Sequence, residues 1–313
     1  MSLTFESNHW ALILGGSSGF GLATAQKLSR HGMNVAIIHR DRKGAMGAIE
    51  PKFEEIRKTG VGFLALNLDA LSTEGRQTSL DALATAMKGT GKVRLLMHSI
   101  AFGNLKPVVA PKVTPDESAT LLAQKLGIGR DVLAEAIRGT FSTGKADALA
   151  GLLDVPVSDS DAVLEEEDFA RTVHSMGTSL VTWTQDLLTR KLFADDARVI
   201  GMTSEGNEIA WRGYAAVAAA KVALESVSRA LAVELGPYGI RSNIVQAGVT
   251  DTPALRLIPG SDRMKADARS KNPLGRLTLP ADVADFISLL CTDEARWVNG
   301  ALLVCDGGER IAG

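Results

Sequence analysis

Ala11-Leu12-Ile13-Leu14-Gly15-Gly16-Ser17-Ser18-Gly19-Phe20-Gly21 sets four apolar side chains in a row and follows them at once with four glycines in seven positions. An apolar run this short reads as a buried strand, and the helical spacing from Gly21 to His31 follows directly. A glycine-rich turn that leaves a strand and opens a helix offers free N–H groups and a positive dipole end, which together suit a pyrophosphate. Gly15 permits the tight turn; Gly19 and Gly21 let backbone approach the phosphates and let the helix pack on the sheet. Gly15, Ser17, Gly19, Phe20 and Gly21 are therefore the candidate cofactor-binding residues of this turn. The plainer reading of such a turn is a bare strand-to-helix loop, and the strand-turn-helix setting favours the dinucleotide.

The same rhythm repeats along the chain. Ala11-Leu14, Val35-Ile38, Gly62-Leu66, Val93-Met97, Arg198-Met202, Ser242-Val245 and Ala301-Val304 read as buried strands. Between them lie helical patterns over Gly21-His31, Ala45-Lys58, Thr73-Lys88, Glu167-Leu192, Tyr214-Leu235 and Pro280-Cys291. This alternation predicts an α/β, doubly wound Rossmann fold with a seven-stranded parallel sheet, residues 1–313 forming a single domain. The rhythm breaks once, after the fourth strand, where about sixty residues replace a short connection. Residues 110–163 read as a small helical insertion, with helices over Pro115-Leu126, Arg130-Arg138 and Lys145-Leu153. It leaves the carboxyl end of a strand, the ligand side of such sheets, so it is either a lid over a pocket or an oligomer contact or surface decoration.

The 313 residues are 45% hydrophobic and 22% charged with a formal net charge of −2, which argues against disorder and against nucleic-acid binding by bulk charge. The two cysteines, Cys291 and Cys305, give no disulfide framework and sit near no histidine cluster, so no metal site is expected. The start of the chain lacks a basic, apolar leader, and the most apolar later stretch, Ile209 to Leu224, is broken by Arg212 and Lys221. A cytoplasmic protein with no membrane partner is the expectation.

At the end of the second strand an acidic residue would bind the ribose 2′-hydroxyl of NADH. His39 and Arg40 stand there instead. A guanidinium offers a 2′-phosphate several donors and a fixed charge, so NADPH is favoured over NADH. The alternative is that Arg40 is a surface cation pairing with Asp41.

The cradle spacing, Gly-x-x-x-Gly-x-Gly, and Cys305-Asp306-Gly307-Gly308 near the end resemble the short-chain dehydrogenase/reductase family over nearly the whole chain outside the insertion. Leu14 departs from it, threonine being usual there. That family carries Tyr-x-x-x-Lys, but Val217 lies four residues before Lys221 and Tyr214 lies seven before it. The seven-residue spacing resembles the enoyl-acyl-carrier-protein reductase branch, as does His98-Ser99-Ile100-Ala101-Phe102. From Ser204 through Gly206, Tyr214, Lys221, Ala223-Leu224-Glu225 and Ala247-Gly248 to Asp251-Thr252 and Ala254-Leu255, the chain is most similar to the NADPH-dependent (type III) subgroup. The resemblance implies Tyr214, Lys221 and Ser204 as catalytic residues. It places Ser99, Ile100 and Ala101 at the cofactor, Thr252 at the nicotinamide carboxamide with Thr250 beside it, and Asn67 and Leu68 around adenine. His174 falls where ordinary members have a catalytic asparagine, or is a polar core residue. The resemblance also implies a homo-oligomer, a dimer or tetramer.

The spacing suits the chemistry. Reducing a ketone puts hydride on the carbonyl carbon; reducing an enoyl thioester puts it on the β-carbon, two bonds from the carbonyl. Moving the tyrosine back three positions displaces it by about 4.5 Å in a helix, and seven residues is nearly two turns, which keeps Tyr214 and Lys221 on one face. Tyr214 would donate to the thioester oxygen while Lys221 binds the nicotinamide ribose and lowers the phenol pKa. The expected function is NADPH-dependent reduction of trans-2-enoyl thioesters carried by acyl carrier protein or coenzyme A. A carbonyl reductase and a non-catalytic nucleotide sensor or scaffold are the alternatives.

Overall fold

Each strand run is too short and too apolar to stand alone in water, so the runs pair with one another and the inner five bury both faces, whereas the two edge runs, Phe63–Asn67 and Leu302–Cys305, expected to be buried, stay partly exposed because each has a neighbour on one side only. In the computed structural model, which describes residues 3–110, 117–141, 149, 152 and 162–312, they form one parallel sheet. Its strands are β1 (His9–Leu14), β2 (Asn34–His39), β3 (Phe63–Asn67), β4 (Lys92–His98), β5 (Phe193–Ser204), β6 (Arg241–Ala247) and β7 (Leu302–Cys305). The helices are α1 (Gly19–Arg30), α2 (Met46–Arg57), α3 (Thr73–Ala86), α4 (Glu117–Leu126), α5 (Arg130–Phe141), α6 (Glu166–Val173), α7 (Ser179–Thr189), α8 (Ala215–Glu234), α9 (Ser261–Lys271) and α10 (Pro280–Leu290).

Strand order is β3-β2-β1-β4-β5-β6-β7, so the winding reverses between β1 and β4, the place where a doubly wound sheet opens a crevice. Alternation along the strands sorts the core into two layers. Leu12, Leu14, Ala36 and Ile38 pack with Leu80 and Leu83 of α3, Trp183 of α7 and Leu224 of α8. Ala11, Ile13, Val35 and Ile37 pack with Leu28 of α1, Phe53 of α2 and Ile287 of α10.

Three boundaries differ from the reading of the sequence. The helix expected over Glu167-Leu192 is α6 and α7 joined by a widened π turn at His174–Thr178, whose five-residue repeat is invisible to a 3.6-residue pattern. β5 begins at Phe193, not Arg198, because Asp195 and Asp196 interrupt its apolar run; Asp196 is accommodated by Arg94 (2.7 Å), Arg198 (2.6 Å) and Arg241. α9 was not anticipated: its sequence is polar all round, with only Ala266 and Ala268 buried.

After β4 the chain enters α4 and α5, which meet through Ala123, Leu133 and Ile137. The two ends of the excursion are fastened together: Leu164 N donates to Pro107 O at 2.8 Å, and Asp168 accepts from Asn104 Nδ2 at 2.9 Å and from Lys106 Nζ. The third helix expected there, Lys145-Leu153, lies outside the described residues except for Leu149 and Leu152.

Candidate active site

The cradle turn is built as its glycines require. Gly15 has φ +84, and a Cβ on it would come within 2.5 Å of Ser99 O; one on Gly21 would reach Gly15 O at 2.3 Å. Neither contact is tolerable, so backbone alone fits between β1, β4 and α1. No side chain caps the N-terminus of α1 and no acidic residue sits in its first turn. That leaves donors and dipole for an anion. A Cβ on Gly19 would meet Thr252 Cγ2 at 3.4 Å, so the turn abuts the loop after β6.

Beside this turn, at the carboxyl ends of β4, β5 and β6, lies a cleft of about 220 Å³ that opens to solvent. Phe20, Ser99, Ile100, Ala101, Ser204, Tyr214, Lys221, Thr250 and Thr252, singled out from residues scattered over more than two hundred positions, all line it. So do Leu105, Met176, Trp211, Leu255 and Ile258, which make one arm apolar. These are pocket residues the sequence did not disclose, because an apolar side chain on a loop carries no signal of its purpose. His174 opens the π turn and is exposed, outside the cleft lining, so neither role suggested for it holds. The same turn sends Met176 into the cleft and lets Gly177 pass against α8, where a Cβ would lie 2.8 Å from Ala220 O.

Tyr214 sits at the N-cap of α8, one residue before the helix proper, and its carbonyl accepts the first helical bond from Ala218 N at 2.8 Å. Its ring rests on Gly206: a Cβ there would come within 2.5 Å of Tyr214 Cε1 and 3.5 Å of Ser204 Oγ. Burial pushes the Tyr214 phenol up, and the Ser204 hydroxyl pulls it only part of the way back. Ser204 Oγ is close enough to act on the Tyr214 phenol but meets no partner at full hydrogen-bond geometry, so as a buried donor it is poised for an oxygen from outside the chain. Lys221 Nζ donates to Met202 O at 2.8 Å. Burial, opposed by Glu225, lowers the Lys221 amine to about 8. The expectation that Lys221 draws the phenol toward phenolate is therefore corrected: burial dominates, the Lys221 charge is no cause of the phenol's shift, and Tyr214 is a protonated donor at neutral pH.

His98, hydrogen-bonded through Nε2 to Ser179 Oγ at 2.8 Å, is lowered to about 3 by burial and by the Lys221 charge, and stays neutral. Cys291 is pushed up to about 12 by burial and is inert.

At the far side of the cradle, His39 turns inward, with Nδ1 2.8 Å from Asp41 Oδ2 and its ring edge-on to Phe53. Arg40 is exposed and pairs with Asp69 at 3.1 Å, not with Asp41, while its guanidinium stacks 4.3 Å from the Phe102 ring centre. Asn67 bonds the backbone of Asp41 in both directions (3.0 and 2.9 Å), and Leu68 N donates to His39 O at 2.9 Å. Asn67 thus fixes the loop after β2, and Arg40 bridges the ends of β2 and β4.

A glycine cradle at the switch point, a buried lysine and a protonated phenol beside an apolar arm define a dinucleotide-dependent oxidoreductase site on a Rossmann fold. Comparison with known proteins specifies the family. Residues 9–118 match the short chain dehydrogenase profile and residues 143–309 the profile described as enoyl-(acyl carrier protein) reductase. The chain belongs to the short-chain dehydrogenase/reductase family. It is 25% identical over 303 residues to a probable 2,4-dienoyl-CoA reductase of Bacillus subtilis (strain 168), covering 95% of each chain. Among solved structures it superimposes on the enoyl-[acyl-carrier-protein] reductase (NADH) of Aquifex aeolicus VF5 with TM-score 0.70 and 23% identity, covering 100% of this chain and 99% of the other. A short chain dehydrogenase of Burkholderia cenocepacia J2315 in complex with NADP superimposes with TM-score 0.69 and 21% identity, covering 99% and 100%. Among the described residues no helix is long and apolar enough to cross a membrane, and no cluster of ligating side chains suits a metal ion.

Proposed function

We propose that the chain reduces the carbon–carbon double bond of trans-2-enoyl thioesters, carried by coenzyme A or acyl carrier protein, with NADPH. One observation carries the reading. The chain has two tyrosines; Tyr238 is exposed on the surface, and Tyr214 alone enters the cleft. The position four before Lys221, where a ketone reductase of this family needs its acid, holds Val217, buried and apolar. The only phenol available to the substrate is the displaced one.

The nicotinamide cofactor, when bound, supplies hydride to the β-carbon. The cradle at Gly15–Gly21 and the uncapped start of α1 fit its pyrophosphate. Arg40, which pairs with Asp69, would offer its guanidinium to a 2′-phosphate, the ground for reading NADPH over NADH. Lys221 would hold the nicotinamide ribose, and Thr250 and Thr252 would bind the carboxamide. The Tyr214 O–H donates to the thioester carbonyl oxygen, and the adjacent Ser204 O–H gives a second donor as charge develops on that oxygen. Leu105, Met176, Trp211, Leu255 and Ile258 exclude water from the acyl chain.

NADPH absorbance with crotonyl and acetoacetyl thioesters tests the reading. Consumption with crotonyl thioester, lost in Tyr214→Phe, supports it; consumption with acetoacetyl thioester alone replaces it by ketone reduction. Binding of NADPH without turnover of either leaves a nucleotide sensor.

A further inference from the structure

α8 meets the end of β5 through two side chains one turn apart. Lys221 Nζ donates to Met202 O at 2.8 Å. Glu225, 9% exposed, accepts at one oxygen from both Thr203 Oγ1 and Asn207 Nδ2, each at 2.7 Å. Thr203 and Asn207 stand on either side of Ser204–Gly206, the corner on which the Tyr214 ring rests. A buried carboxylate needs donors or an opposite charge, and this one has both, since Lys221 lies one turn before it on the same helix face.

The surroundings of Lys221 leave Glu225 alone in this role. From β5 it meets a neutral carbonyl. From β4 it faces His98, neutral because of burial, which is held by Ser179 of α7. From the start of α8 it faces Tyr214, also neutral. Among the described residues Glu225 is the one charge that favours the ammonium against burial.

We infer that Glu225 is a positioning residue: it clips Thr203 to Asn207, holding the Ser204–Gly206 corner under Tyr214, and sets its carboxylate one turn from Lys221 on the same helix face as the counter-charge of that side chain. This deepens the reductase reading by giving its lysine and its tyrosine one shared support, and it rests on that reading for its consequence in turnover.

The test titrates both groups in the full-length chain without an acyl substrate. Lysine-selective ¹³C NMR, assigned with Lys221→Arg, follows the amine; absorbance at the phenolate band follows Tyr214, with Tyr238 as the exposed internal standard. In Glu225→Gln, which keeps an accepting oxygen but removes the charge, the Lys221 titration falls by roughly one pH unit while Tyr214 is unchanged. In the double variant Thr203→Val, Asn207→Ala, which keeps the charge but removes the clip, Lys221 does not fall and the Tyr214 titration drops. An unmoved Lys221 in Glu225→Gln overturns the charge role, and an unmoved Tyr214 in the double variant overturns the clip. If Glu225→Gln does not fold, Glu225→Asp takes its place: it must hold the Lys221 titration near the wild-type value, and a fall overturns the inference. A chain that titrates as described but leaves crotonyl thioester untouched retains this assignment and loses the reductase reading.

Discussion

Tyr214 is useful as a donor because it is buried, and Lys221 is vulnerable for the same reason. The phenol pushed up by burial stays protonated throughout the neutral range, so removing it costs a full hydrogen bond to the developing oxyanion. Tyr214→Phe is expected to lower the turnover of crotonyl thioester on the order of 10²-fold or more while NADPH affinity, read by the fluorescence of the bound nucleotide, stays near wild type. Lys221 makes a prediction with two opposite signs. Its folded-state value of about 8 lies below the ordinary 10.5, so the folded chain sheds this proton first. NADPH affinity therefore declines as pH rises through about 8. Between about 8 and 10.5 the unfolded chain binds more protons at this site, so the contribution of Lys221 to stability rises over the same window. Melting curves and binding curves from pH 7 to 10.5, compared with Lys221→Met, check both limbs; parallel decline of the two would refute the assignment. At this scale the sequence disclosed which residues meet, because motif spacing is set by helix geometry. Their electrostatics stayed hidden: the direction of the Tyr214 shift and the Asp69 partner of Arg40 depend on burial and on loops that no local pattern encodes.

Elements were legible wherever burial is periodic. All seven strands and eight of the helical segments, α4 and α5 among them, follow from apolar runs and apolar spacing, since the inner strands of a parallel sheet covered on both faces leave an unmistakable trace. The exceptions share a cause. α9 has no apolar face, the start of β5 carries aspartates whose charge is met by arginines distant in sequence, and the π turn between α6 and α7 changes the repeat without changing the composition. The cradle turn was legible because its constraint is local, and it makes the sharpest element-scale prediction: Gly21→Ala places a Cβ 2.3 Å from Gly15 O, so the turn must open and NADPH binding should weaken on the order of tenfold or more. The insertion makes a second. Its stems are joined at Pro107 and Leu164 by a 2.8 Å backbone bond, with Asp168 holding Asn104 and Lys106. Replacing residues 110–163 by a short Gly-Ser linker should therefore give a chain that folds cooperatively and binds NADPH within roughly threefold of wild type, because loop-closure entropy grows slowly with length. Loss of cooperative unfolding in that variant would show the excursion to be part of the fold and not an addition to it.

Across the whole molecule the sheet keeps its chemistry at one end and its ionic fastening at the other. The cleft lies at the carboxyl ends of β4, β5 and β6, whereas Arg94, Asp196, Arg198 and Arg241 lie at their amino ends. Eight residues of β5 separate Asp196 from Ser204, about 26 Å of extended chain. At the amino end Arg94 and Arg198 also donate to the carbonyls of Cys291 (2.9 Å), Leu290 (2.9 Å) and Thr292 (3.0 Å), the C-terminal groups of α10 that no helical partner satisfies. The cluster thus ties three strands to a helix, with Asp196 at its centre and Asp293 pairing Arg94 at 2.9 Å from outside. Burial works to raise the Asp196 carboxyl, but its hydrogen bond to Arg198 and the charges of Arg198, Arg94 and Arg241 outweigh it and hold the group below the ordinary carboxylate range. A carboxylate lowered in this way contributes stability that is present above its unfolded value of 3.8 and is lost as pH falls from there through the folded value. Asp196→Ala leaves three arginines, two of them buried, with only the exposed Asp293 on Arg94 (2.9 Å) as a remaining carboxylate, and should cost about 3 kcal/mol in denaturant unfolding at pH 7. Its stability should then vary less steeply than that of wild type below about pH 3.8. Because the fastening and the cleft are joined only through the rigid strands, NADPH affinity and the pH dependence of its binding should stay at wild-type values in the folded variant. A shifted alkaline limb in Asp196→Ala would mean that charge at the amino ends of the strands reaches Lys221 through the sheet, and the separation of fastening from chemistry would fail.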